Sequence, residues 1–212
     1  MSSVLHGLAV RSDAEVFEAQ LREACQRDVR EAATLAIEGY GPAVRGFLGV
    51  LLRDEQQADE AFALFCEDVW RGLPGFRWST SARAWCYVLA RHCALRSLRD
   101  RGRRQGAQVP LSQVSESALP RTREPSEVPH HLRTENRSRM RALRERLGVD
   151  EQVLLVLRID KRLSWNEVAL VMAGEGEQLA GPALTRSATT VRKRFQLAKE
   201  KLRELARAEG LL

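Results

Sequence analysis

Lysine is scarce in this chain: 30 of its 34 basic residues are arginine. Aromatic residues make up only 6% of the 212. The four cysteines (Cys25, Cys66, Cys86, Cys93) show no C-x-x-C spacing, and no Cys or His pair stands at the short spacing zinc ligands use. Buried thiols in a reducing compartment are the expectation, with no metal and no cofactor. Uncharged apolar runs such as Gly46–Leu52 and Val153–Leu157 fall far short of the ~20 residues that cross a bilayer. The first residues, MSSVLHGLAVRSDAE, lack a basic start leading into an apolar stretch, so no secretory signal is read. These features point to a cytoplasmic protein without membrane insertion. Phosphate-binding glycine loops, the H-E-x-x-H zinc motif and the G-x-S-x-G nucleophile elbow are all missing, and no carboxylate pairs with a His or nucleophile in a catalytic pattern. No enzyme is expected.

What is present is charge, unevenly spread. The chain carries net +6. Residues 1–72 hold 7 basic and 13 acidic side chains, residues 73–108 hold 8 and 1, and residues 185–207 hold 8 and 2. Two basic blocks beyond an acidic first third suit two contacts with a polyanion and a different partner for the acidic part.

Apolar spacing is helical almost throughout and nowhere alternates for long, which predicts an all-α protein. Helices are expected over Asp13–Glu38 behind an N-cap at Ser12, over Ala43–Leu52, over Asp54–Arg71 and over Ala82–Arg101. Gly39-Tyr40-Gly41-Pro42 is read as the break between the first two, with Pro42 in a first turn. Residues 105–136 carry Pro110, Pro120, Pro125 and Pro129 with little periodicity, and read as a flexible linker. Two small helical domains result, 1–104 and 137–212. In the second, helices are expected over Ser138–Leu147 and Glu151–Ile159. Ser164 and Glu167 form a capping box for the next one. A long connection from Gly174 follows, and a last helix starts near Ser187 or Ala188.

Three constellations stand out. The last two helices have the form of a helix-turn-helix. In the second of them Val191, Phe195, Ala198 and Leu202 face the core, and Thr190, Arg192, Lys193, Gln196 and Lys199 face outward. Arg, Lys and Gln side chains there suit base edges and phosphates; the alternative is a solvated amphipathic surface. The block from Phe76 to Arg104 mixes Phe76, Trp78, Trp85 and Tyr87 with arginines including Arg77, Arg91 and Arg96. Aromatic faces accept unstacked bases while arginines follow the backbone. For Trp85 a core role is favoured over base contact; for Trp78, in a loop, both readings stand. The third helix sets Asp54, Glu55, Asp59, Glu60, Glu67 and Asp68 beside Phe62, Phe65 and Trp70. It is either a docking face for a basic protein or a solvated face over an ordinary core.

In order, an acidic-aromatic helix ending DVWRGLPGFR, then SARAWCYVLARHCALRSLRDRGRR, a Pro-rich linker, and RERLGVDEQVLLVLRIDKRLSWNEVALVM…TTVRKRFQLAKEKLREL resemble a bacterial RNA polymerase sigma factor of the sigma-70 superfamily, extracytoplasmic-function type. The resemblance spans about Tyr40–Arg104 and Leu143–Leu205. It implies that core RNA polymerase and promoter DNA are the partners, with an anti-sigma factor as a further candidate. It implies that the helix Asp54–Trp70 docks on the polymerase through Asp54, Asp59, Glu60, Phe62, Phe65, Val69 and Trp70. It implies that Leu73–Arg104 captures and melts the −10 element through Arg77, Trp78, Arg83, Trp85, Arg91, Arg96 and Arg99. The loop Gly75–Ala82 would hold a flipped base. It implies that Thr189, Thr190, Arg192, Lys193, Arg194, Gln196 and Lys199 read the −35 element. Two features depart from the family pattern. Ala63-Leu64-Phe65-Cys66 stands where sigma factors usually carry Gln-Glu before the docking aromatic. The connection inside the helix-turn-helix is also longer than usual. Two rival functions fit fewer of these features. One is a regulator using only the C-terminal helix-turn-helix; the other is a sigma-like protein that sequesters a partner without opening DNA.

Overall fold

The computed structural model describes residues 13–104, 139–174 and 179–211, and among these there is no strand. The helices are α1 (Asp13–Arg27), α2 (Val29–Leu52), α3 (Glu55–Gly72), α4 (Ala82–Arg104), α5 (described over 139–145), α6 (Val149–Leu155), α7 (Trp165–Ala173) and α8 (Gly181–Ala208). Leu73–Gly75 forms a 3₁₀ turn after α3, and α6 runs on into a π turn, Val156–Asp160. The expected linker 105–136 and the Ser12 cap lie outside the described residues.

The first break differs from the expectation. Chain direction changes at Asp28, whose extended backbone (φ −148°) and side chain accepting from the Arg30 amide at 2.7 Å cap α2. Gly39–Pro42 does not interrupt the helix. Pro42 forfeits a helical hydrogen bond, typically a cost of about 3 kcal/mol. The apolar stripe is continuous on both sides of it, from Ala32, Ala33 and Ala36 to Val44, Phe47, Leu48, Leu51 and Leu52, all buried. That burial outweighs the local penalty. α2 is also long and apolar enough, by length and composition, to cross a membrane, but here it lies at the centre of the helical packing. Its end is set by Arg53 in the left-handed region (φ 57°), after which the Asp54 side chain accepts from the Gln57 amide at 3.1 Å and opens α3.

α2, α3 and α4 pack on one another, with α1 laid against α2. Phe47 meets Tyr87 edge-on at 5.5 Å between ring centres, and both are almost fully buried with Phe65 and Leu48. In the C-terminal part α6 and α7 pack on α8 around Leu154, Leu157, Val168 and Phe195. Trp165 stands edge-on to Phe195 at 5.3 Å. The Ser164–Glu167 capping box forms as expected, with Ser164 Oγ accepting from the Glu167 amide and Glu167 Oε2 from the Ser164 amide. α7 also packs against α4, so one apolar core runs through both parts.

A second difference concerns α8. It begins at Gly181 rather than near Ser187, with Pro182 in its first turn, so much of the expected loop is helix. The four cysteines form no disulfide. Cys86 and Cys93 are buried, whereas Cys25 and Cys66 are only partly so.

Candidate nucleic-acid interface

Three aromatic rings assemble at the entrance to α4. Phe76 stacks on Trp85 at 4.9 Å with 28° between planes, and tilts against Trp78 at 4.9 Å. Trp78 has φ 57°, a left-handed conformation that a large side chain adopts at a cost and that surrounding contacts must hold. The Arg22 guanidinium lies 4.9 Å from its ring centre. Arg77 is exposed beside it. Trp85 is half-buried over Gly72, where a Cβ would stand 2.9 Å from the indole, so its inner side is a packing surface and its face belongs to the Phe76 stack. Tyr87, two residues on and on the opposite side of α4, is fully in the core, and burial pushes its phenol up to about 12.

α4 starts with every first-turn amide bonded. The Ala82 and Arg83 amides donate to the two Glu18 carboxylate oxygens at 2.9 and 3.0 Å, and the Ala84 amide donates to Ser81 Oγ at 3.1 Å. The Trp85 amide reaches the Ser81 carbonyl at 3.1 Å. Ser81 Oγ in turn donates to Glu167 at 2.7 Å. Burial alone would raise the Glu167 carboxyl, but the hydrogen bonds from Ser81 and Ser164 outweigh it and hold it below the ordinary glutamate value. A cleft of about 540 Å³ opens here, lined by Glu18, Arg22, Tyr40, Ser81, Arg83 and Glu167.

The arginines of α4 divide into two groups. Arg96 and Arg99 are exposed. Arg83 donates to the Lys161 carbonyl, and Arg91, with only 12% of its side chain exposed, pairs with Asp150 at 2.8 Å. Both therefore bind the C-terminal part of the chain in this arrangement. Cys93 Sγ donates to Asp68 at 3.4 Å, and burial pushes the Cys86 thiol well up, away from the reactive thiolate form.

α3 does not present all the residues expected of a docking face. Phe65 and Val69 have no exposed surface, because the helical period turns them onto α2 and α4, and they cannot touch a partner. Phe62 is half-buried and stacks on Phe65 at 5.7 Å. Asp54 serves as the N-cap of α3 and Asp59 pairs with Arg45. Glu60 and Trp70 do face outward, the indole at 42% exposure. With them lie Gln56, Ala63, Glu67 and Arg71. Gln56 was missed in the sequence, although the 56-60-63-67-70 spacing is itself a helical stripe.

On α8, Val191, Phe195, Ala198 and Leu202 are buried as expected, and Ala188 is buried with them. Thr189, Thr190, Arg192, Lys193, Arg194 and Gln196 are exposed. The two threonine hydroxyls donate back to the carbonyls of Thr185 and Arg186 at 3.0 and 3.1 Å. Lys199 departs from the expectation. It is half-buried with its ammonium 5.6 Å from the Phe195 ring centre, on the flank rather than the outer face. Arg186 and Leu197, the latter 64% exposed, complete the outer face.

Residues 36–104 match the Sigma-70 region 2 family. The match takes in α2 from Ala36 onward, all of α3, the aromatic entrance and α4. No curated protein sequence matches the chain. The acidic α3 face, the aromatic shelf and the basic α4 thus lie inside the one stretch of the chain that is similar to Sigma-70 region 2.

Proposed function

We propose that the protein is an extracytoplasmic-function-type sigma factor that acts in the cytoplasm. It binds core RNA polymerase, recognises the −10 and −35 elements of promoters and promotes strand opening. The observation that carries this reading is the aromatic shelf of Phe76, Trp78 and Trp85 between the acidic face of α3 and the arginines of α4. Stacking of a base on an aromatic ring contributes about 1–3 kcal/mol and offsets part of the cost of unstacking it.

In this reading Glu60, Glu67 and Trp70 contact the polymerase, with Asp59 at the edge. Asp54, Phe62, Phe65 and Val69 shape that face from behind. Arg77 and Trp78 hold an unpaired −10 base, and Arg96 and Arg99 follow the phosphates. Arg83 and Arg91 reach DNA once α6 and α7 move off α4. Residues 1–104 and 137–212 act as two units joined by the 105–136 linker. α7 and α8 form a helix-turn-helix whose Arg192, Lys193 and Gln196 read the −35 element, Arg194 and the helix N-terminal half serving phosphates.

The test is reconstitution with bacterial core RNA polymerase, followed by sequencing of RNA made from fragmented genomic DNA of the source organism. Discrete start sites sharing upstream −10 and −35 sequences are expected. Polymerase binding without initiation would favour a sequestering protein instead. In the same assay, replacing Arg77 and Trp78 with Ala should lower initiation while polymerase binding survives.

A further inference from the structure

α1 lies outside the matched residues 36–104, yet it makes the contacts that fix the promoter-facing loop. A helix N-terminus leaves its first amides without intrahelical partners, and a side chain immediately before the helix normally satisfies them. In α4, Ser81 does this for Ala84, but Ala82 and Arg83 are bonded by Glu18, 64 and 65 residues earlier. Glu18 also accepts from the Tyr40 hydroxyl at 2.8 Å, which anchors its carboxylate to α2. Phe17 braces the same tyrosine edge-on at 5.0 Å. One helical turn beyond Glu18, on the same side of α1, Arg22 covers the Trp78 ring. α1 thus grips both ends of the loop: its Trp78 by a cation over the ring, and its exit into α4 by a double cap.

A helix N-terminus is ordinarily a good seat for a DNA phosphate. Here the Glu18 carboxylate fills it. Phosphate binding is therefore directed away from the start of α4, and Trp78 is held in its left-handed conformation before any base arrives. Ordering the loop in advance removes that entropic cost from the binding step.

We infer that Glu18 and Arg22 are positioning residues: from α1 they preset the 76–81 loop for capture of the unpaired base. This rests on the sigma-factor reading above. The test uses the full chain with bacterial core polymerase and genomic DNA fragments, comparing Glu18→Ala and Arg22→Ala with the wild type. RNA yield should fall about tenfold for Glu18→Ala and about threefold for Arg22→Ala, the scale of a lost cap and a lost cation–π contact. Polymerase affinity should stay within about twofold. In the free chain, amide hydrogen exchange at Ala82 and Arg83 should quicken about tenfold in Glu18→Ala, with the core amides of α2 and α3 unchanged. Undiminished yield overturns the inference. So does a parallel loss of polymerase affinity and core protection, which would make α1 a general structural element. If the wild type itself starts no RNA, the sigma-factor reading fails instead. The inference is then decided by the indole NMR signal of Trp78, which must move or broaden in both variants and overturns it by staying unchanged.

Discussion

α4 and α8 are both arginine-rich helices facing nucleic acid in the proposed function, and the protein treats them in opposite ways. On α4, Arg83 and Arg91 are drawn into contacts with Lys161 and Asp150, and the helix start is closed by Glu18 and Ser81. On α8, Arg192, Lys193 and Arg194 stand in solvent and make no hydrogen bond or ion pair with other described residues. The difference lies in what each helix packs against. α4 is enclosed by α2, α3 and α7, whereas α8 meets α6 and α7 along one stripe only. A basic helix with three neighbours yields part of its charge to the fold. A helix with one contact stripe keeps its charge for a partner.

The largest effect should come from the ring that seats α8. Phe195→Ala removes a buried side chain packed on Trp165 and should destabilise the C-terminal helices by about 3–5 kcal/mol, measured by urea denaturation. If α8 were held chiefly by its charges, the loss would be far smaller.

Next in size is the reading of bases. Arg192→Ala or Gln196→Ala should weaken binding to a matched −35 duplex by about 1–3 kcal/mol and change stability by less than about 0.5 kcal/mol. Equal losses on matched and scrambled duplexes would reassign these side chains to phosphates.

On α4 the order reverses. Arg91→Ala should cost about 1–2 kcal/mol of stability, because it removes a side chain nearly covered by protein. Asp150, half-exposed, is rehydrated and limits the loss. A stability change as small as that of Arg192→Ala would erase the contrast between the helices.

The smallest effect is a pH dependence. Glu167 is held below its ordinary value of 4.5 by hydrogen bonds from Ser81 and Ser164. A depressed carboxylate stabilises the fold above the unfolded value, and the contribution is lost as pH falls through the folded one. Stability should therefore drop as pH goes below about 4.5, and Glu167→Gln should flatten that part of the curve in denaturation at a series of pH values.

Periodicity made the helical fold readable, because burial follows the helical repeat directly: Val191, Phe195, Ala198 and Leu202 are core where their spacing places them. Local signals succeeded where capping is local, as at Ser164 and Glu167. They failed where tertiary packing overrides them. Gly39–Pro42 has every mark of a break, yet buried residues on both sides carry α2 through it, and the true break at Asp28 depends on one side-chain hydrogen bond. Phe65 and Val69 belong by composition to the aromatic stripe expected to dock, and only the direction of its neighbours shows that they point inward. Glu18 was illegible for a different reason: the two helix amides it caps are more than sixty positions away, and nothing near it in sequence announces them.

Gly39 gives the contact between the first two helices a genetic signature. A Cβ there would stand 2.1 Å from the Phe17 ring, so any larger residue must evict that ring from its seat beside Tyr40. The two positions form a size-exchange pair. Gly39→Ala on its own should uncouple α1, while trimming position 17 in the same chain makes room for the added methyl. A screen for second-site revertants of Gly39→Ala should therefore return changes of Phe17 to smaller apolar residues.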